Sequence, residues 1–239
     1  MFDNVYINGT TAYDDFSSVL IDTAKWSWSE WIREPSDGYL RAGIIGYGST
    51  RTANTYLTEK DAPYLEAKVC IDSGSQLPQG AYGVGRIQGY YYNDSRGPGS
   101  GQSYNQYEGD VFVQVRLRYN GDGTLSANAY VDRSNDATQS SFTNLFSHDF
   151  PIAIALDAYY TLSIRFEGNK LAFGCNSETA EYNITTPTYP AYGEHRLLRS
   201  RAYLSSGQIG YIEAHFDDVY IEKKVKFNAS IPIMLLSGE

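Results

Sequence analysis

Val111, Val113, Val115 and Leu117 set an apolar side chain at every second position of one unbroken segment. A period of two sends alternate side chains to opposite faces, so this segment is a strand with one face in a core. The same period returns at Leu65, Ala67, Val69 and Ile71, at Leu162, Ile164 and Phe166, and at Ile212, Ala214 and Phe216. No long stretch sustains a helical period. Strands of this kind bury their apolar faces by packing sheet on sheet, which limits the chain to a sandwich or a barrel. The order of the strands does not follow from the pattern.

Turn chemistry divides the strands. Asn120-Gly121-Asp122-Gly123 folds 111–117 back onto 125–131, and Gly168-Asn169 folds 160–167 onto 171–175. Pro35-Ser36-Asp37-Gly38 joins a strand ending at Trp31-Ile32 to one at 39–45. Further strands are expected at 52–58, 64–72, 82–92 and 195–204, the last with Arg196, Arg199 and Arg201 facing outward. Residues 93–109 read as a long loop, 132–139 as a polar loop, and 21–26 as a single helical turn capped by Asp22.

The stretch 211–222 reads as the closing strand. Its apolar face changes parity between Phe216 and Val219, which requires an extra residue and places a bulge at Asp217-Asp218. The chain opens on the same pattern: Phe2-Asp3-Asn4-Val5-Tyr6-Ile7 against Phe216-Asp217-Asp218-Val219-Tyr220-Ile221. Either two short strands coincide, or 1–9 is the last strand of a preceding repeat in a tandem array. On the second reading 10–224 is the domain and 225–239 a tail or added strand.

A chain of 239 residues with net charge −9 has the mass for one large all-β domain or two small ones. The charge argues against nucleic acid and anionic membrane as partners. No apolar run reaches the length of a membrane-spanning helix, so membrane insertion is not expected. Phe2-Asp3-Asn4 does not open a signal peptide; if the chain is one domain of a longer protein, an export signal would lie outside this sequence. Cys70 falls on the polar parity of its strand and Cys175 on the apolar parity of its own, which leaves a bridge between them open.

Three segments together, YDDFSSVLIDTAKW, YYTLSIRFEGNKLAF and FDDVYIE, resemble the concanavalin A-like lectin/glucanase group. They are most similar to laminin-G-like modules of bacterial surface proteins, and also to family-16-type glucanases. The resemblance covers both ends and one hairpin. It implies an all-β, jelly-roll β-sandwich of two antiparallel sheets, and an extracellular or cell-surface protein. It also implies a calcium ion tying the opening segment to the closing strand, with Asp14 or Asp15, Gly38 and Asp217 at the matching positions. The competing reading of Asp217-Asp218 is a carboxylate pair that blunts strand pairing at a bulge.

The glucanases of that group carry paired carboxylates on one strand. Glu59, Asp61 and Glu66 do not reproduce this, because Pro63 interrupts them. Glu66 and Asp72 share a parity but stand about 20 Å apart at strand rise, too wide for a glycosidase pair. His148, His195 and His215 have no metal-ligand spacing and read as structural. Ligand-binding candidates are Arg86, Gln88, Tyr90 and Tyr92 on one strand parity, with Tyr104 and Tyr107 in the following loop. Tyrosine offers a flat apolar face and a polar tip, which suits a sugar ring, although a tyrosine-rich sheet surface reads the same way. The expected function is a non-catalytic carbohydrate-binding or adhesion module whose partner is a polysaccharide or glycan, or neighbouring copies of the same protein. The alternative is a glycoside hydrolase or lyase.

Overall fold

The computed structural model describes residues 5–6, 12–14, 30–36, 38–95 and 107–222, with fifteen strands and no helix among them. In chain order they are β1 (Val5–Tyr6), β2 (Ala12–Asp14), β3 (Glu30–Ser36), β4 (Tyr39–Tyr47), β5 (Arg51–Tyr56), β6 (Tyr64–Ile71) and β7 (Tyr82–Asn93). They continue as β8 (Asp110–Asn120), β9 (Leu125–Ser134), β10 (Phe142–Asp149), β11 (Tyr160–Phe166), β12 (Lys170–Cys175), β13 (Glu178–Asn183), β14 (His195–Tyr203) and β15 (Ile209–Glu222). Six form one sheet in the order β10-β9-β8-β7-β14-β5, and seven form the other in the order β13-β12-β11-β6-β15-β4-β3. Neighbours in both sheets are antiparallel. β1 and β2 make a separate antiparallel pair, Val5 opposite Asp14.

The expected all-β, two-sheet antiparallel jelly-roll sandwich is therefore the observed architecture. The alternating positions close it. Val111, Val113, Val115 and Leu117 of β8, Leu162 and Ile164 of β11, Phe173 of β12, and Ile212 and Ala214 of β15 are all fully or almost fully buried in one cluster. Each of the larger side chains contributes about 1.5–3 kcal/mol on burial, and Ala214 less, against the entropy of ordering it. Phe166 packs half-buried against the edge of this cluster.

Where β7 crosses β15, the inward positions of β7 are glycines. A Cβ at Gly83 would stand 2.7 Å from Ile212 Cγ1, and one at Gly85 2.7 Å from Ala214 Cβ. The missing side chains let the two sheets approach, while the outward positions of the same strand carry Arg86, Gln88 and Tyr90.

The expected bulge is present. The pairing of β15 with β6 shifts register between Asp217 and Tyr220, and Asp218 has φ of 45°. Beyond it Ile221 faces Leu65 and packs on the core, but Val219 lies in the bulge itself and is exposed. Both cysteines are free and buried, so the open question of a bridge resolves against it. Burial pushes both thiols up to about 12.

Two strands of the sandwich were not expected, and neither was the short β2 outside it. β10 and β13 are sheet edges with mostly half-exposed, polar side chains, and they lack the alternation that marks a buried strand. β10 also extends its partner, so β9 runs on through Asp132 to Ser134 where a loop was expected. The outward placement of all three arginines of β14 is corrected too. Parity puts Arg196 inside, where its guanidinium donates to the carbonyls of Ala62 and Tyr90 and lies over the Tyr91 ring. The helical turn at 21–26, the tail 225–239 and most of the opening segment lie outside the described residues.

Candidate functional site

The outer face of the six-stranded sheet carries a groove of about 500 Å³. β7 contributes Arg86, Gln88 and Tyr90, β8 Phe112 and Gln114, and β9 Asp132. β14 contributes His195, Arg199, Arg201 and Tyr203, β5 contributes Tyr56, and Gln139 and Phe142 come from the β9–β10 end. The strand register sorts these side chains into rows across the sheet. One row is Asp132, Phe112, Tyr90 and His195. The next is Gln114 and Gln88, continuing through buried Leu197 to Tyr56. The third is Arg116, Arg86 and Arg199, ending at Asn54.

The first row is a packed floor. Tyr90 meets Phe112 at 5.4 Å and His195 at 5.2 Å between ring centroids, and His195 meets Tyr56 at 5.6 Å. Burial pushes the His195 imidazole down to about 4, against the opposing bond to Gly193, so the ring is neutral near pH 7. Burial raises the Asp132 carboxyl above its ordinary value, although Asn144 and Gln114 bond to it and pull the other way. Tyr56 and Phe142 are the exposed aromatics, 59% and 43% accessible, and they stand on the two edge strands of the sheet.

The third row is cationic. Arg86 is buried; it bonds the Gln114 amide oxygen and the Tyr203 hydroxyl and lies 5.7 Å from the Phe112 centroid. Burial lowers the Arg86 guanidinium to about 9 and that of Arg199 to about 10, and both still carry charge at pH 7. Arg199 donates to Asn54 at 2.6 Å. Next to this row, Arg118 lies over the Tyr82 ring, Tyr82 stacks on Tyr203 at 4.2 Å, and Arg201 lies over Tyr203. Burial alone would raise the Tyr203 phenol, but the charges of Arg86, Arg201, Arg116 and Arg199 outweigh it and hold the phenol below its ordinary value.

Arg86, Gln88 and Tyr90, named from the sequence, are thus brought together in the groove. Tyr92 is not. A bulge between Tyr90 and Tyr92 reverses the parity of β7, and Tyr92 stacks at 5.7 Å on Phe166 of the opposite sheet. Tyr107 stands beside the Gly193 turn near Asp110 and does not line the groove. Tyr104 lies outside the described residues. His195 was read as structural, yet it lines the groove. It belongs with Arg199, Arg201 and Tyr203, the odd-numbered parity of β14 that the sequence displays. Phe112 and Gln114 follow from the parity of β8 in the same way, as the positions between its core valines.

The proposed calcium residues lie elsewhere. Leu40 pairs with Phe216, which brings the Gly38 turn, φ 92°, and Asp217 to the same end of β4 and β15. Asp217 accepts the Asp218 amide at 2.7 Å, and Asp218 pairs with Lys68 at 2.6 Å. Asp217 and a turn carbonyl are hard-oxygen donors of the kind calcium takes, and among the described residues Asp217 is in no ion pair of its own. Asp14 is in β2, its side chain outside the description, and Asp15 lies outside the described residues. A second acidic group, Asp72, Glu213 and His215, gathers within 4.8 Å on the outer face of the other sheet. Arg41 reaches both Glu213 oxygens, at 2.6 and 2.9 Å, and Tyr211 and His215 bond it as well, so its charge is already met.

No family model matches the chain, and no curated protein matches it. Among solved structures, it is similar to a glycoside hydrolase family 16 endo-glucanase from Bacteroides ovatus, with TM-score 0.49 and 10% identity over 80% of this chain and 85% of that one. The alginate lyase Aly36B gives TM-score 0.46 and 11% identity over 87% and 93%. The Caenorhabditis elegans galectin LEC-6 gives 0.33 and 14% over 72% and 95%. The two-sheet sandwich agrees with the resemblance of the sequence to the concanavalin A-like group. Likenesses at these values carry no argument about function, and one fold hosts many chemistries.

Proposed function

We propose that the chain is a non-catalytic glycan-binding module of an exported or cell-surface protein, with a polysaccharide lying across the groove from one sheet edge to the other. The observation that carries this reading is the row pattern. Flat rings at Tyr90 and Phe112 floor the groove, exposed rings at Tyr56 and Phe142 stand at its two edges, and hydrogen-bonding groups at Gln88, Gln114 and Asp132 lie between them. Rings supply stacking faces for sugars and amides fix their hydroxyls. Glycoside hydrolysis by the usual route needs two carboxyl groups flanking the bond. Asp132 is the one carboxylate that lines this groove among the described residues.

Affinity electrophoresis against a panel of soluble polysaccharides tests the reading. At least one should retard the protein, and Tyr56→Ala and Phe142→Ala should each weaken it several-fold, the scale of one aromatic contact of about 0.5–1.5 kcal/mol. Retardation by none, or by a polymer indifferent to both substitutions, would overturn it.

A second reading, a polysaccharide lyase, is favoured by Tyr203. A phenol held below its ordinary value by surrounding arginines is fit to act as a base. In β-elimination it takes the proton from the sugar carbon beside a carboxylate, the C–O bond to the next sugar breaks, a C=C bond forms, and the departing oxygen takes up a proton. This needs no carboxyl pair. Ultraviolet absorbance from unsaturated ends, lost in Tyr203→Phe, would select it over binding alone.

A further inference from the structure

Arg116, Arg86 and Arg199 are directly opposite one another on three adjacent strands, β8, β7 and β14. Like charges at facing positions destabilise a sheet. One step along, Arg118 and Arg201 flank Val84 in the same way. The chain as a whole carries net charge −9, so these five cations are set against the trend of the molecule. Among the described residues, Arg86, Arg116, Arg199 and Arg201 are in no ion pair with a carboxylate. Aromatic rings hold their planes but accept none of the in-plane N–H bonds. The Nε atoms of Arg86, Arg116 and Arg201 are buried and have no acceptor there. Asp132 acts on Arg116 and Arg86 through space without bonding either, and one carboxylate does not balance the row, so burying these charges is costly.

We infer that the groove selects a polyanionic glycan, with acidic oxygens of the chain seated at Arg86, Arg199 and Arg201, which line it, and Arg116 adding charge from the next strand; this rests on the glycan reading above and names its ligand class. A planar guanidinium receives a carboxylate or a sulfate through paired N–H bonds, the geometry a neutral hydroxyl cannot match. The aromatic and amide rows beside it then bear on the rings and hydroxyls of the same chain. The net charge of −9 opposes general binding of polyanions, so an acidic polymer that does bind needs a local cationic site such as this row.

Calorimetric titration with polygalacturonate, dextran sulfate and unmodified dextran tests this. The first two separate carboxylate from sulfate, and the last two share one backbone. At least one polyanion should bind ten-fold or more tightly than dextran, and its affinity should fall as sodium chloride is raised. Arg199→Gln and Arg86→Met should each cost about ten-fold while the thermal midpoint holds, the scale of one charge-assisted hydrogen bond. Lys170→Gln, on the other sheet, should change nothing. If dextran or another neutral glycan binds as well and only Tyr56→Ala and Phe142→Ala weaken it, the charge inference falls and the glycan reading stands. If no glycan binds, both fall. Single-stranded DNA binding as tightly as polygalacturonate would also overturn the inference.

Discussion

Arg86 is a charged side chain that folding alone would not bury. Its guanidinium releases its proton at about 9, well below an ordinary arginine, because burial disfavours the charged form. The native state therefore holds this proton less tightly than the unfolded chain does. The cost to stability is fully present below that value and is relieved as pH climbs through it. Replacing the charge with an apolar stem of similar length should remove the cost. Arg86→Met is expected to melt at the same or a higher temperature than the parent at pH 7, with the gain shrinking as pH rises past about 9, where the buried guanidinium gives up its proton. Melts at pH 7 and about 10 check it; a variant several degrees less stable at pH 7 would show that Arg86 is a structural group. Much of this residue-level picture was legible in the sequence. Arg86, Gln88 and Tyr90 share a parity that needs no structure to see. Tyr92 was misplaced because a bulge leaves no mark in a run of three tyrosines. Arg199, Arg201, Tyr203 and His195 share a parity, but Arg196 was read as facing out with Arg199 and Arg201, and only strand pairing sets β14 beside β7.

At the scale of the element, β7 divides its work between two faces. Its inward glycines admit the opposite sheet, and its outward residues make the groove. Gly85→Ala would force a Cβ to within 2.7 Å of Ala214 Cβ and 3.1 Å of Val69 Cγ1, both on the facing sheet. Overpacking of this kind costs about 1–3 kcal/mol, read as a lower urea midpoint with an unchanged slope. An unchanged midpoint would mean that the sheets have room there. β15 has its own device, the Asp217-Asp218 bulge. The sequence showed it because an apolar face cannot change parity without one. Whether it also holds calcium, with Gly38 and the Asp14–Asp15 segment, is the proposal that chelation tests. An ion bound by the folded state alone raises its melting temperature, so excess EDTA should lower it by several degrees and Asp217→Ala should abolish the difference. Melting indifferent to EDTA would leave the bulge as a strand-blunting device. The edge strands β10 and β13 were illegible for the opposite reason: half-exposed, polar side chains carry no period to read.

At the scale of the molecule, the sandwich keeps its two tasks on separate sets of positions. Up to Tyr90 the core takes one parity of β7, as it does of β8 and β14, and the groove takes the other; past the bulge Tyr91 and Tyr92 both belong to the core, and the two sets share no residue. Val5–Tyr6 pairs within its own chain, with Ala12–Asp14. The separation has a consequence for how such a chain diversifies. Positions 86, 88, 114, 199, 201 and 203 form an alphabet that can be rewritten while the valines, leucines and glycines behind them stay fixed. A lineage, or a combinatorial library, can therefore move from one ligand to another along the outward parity while the core positions behind it stay as they are.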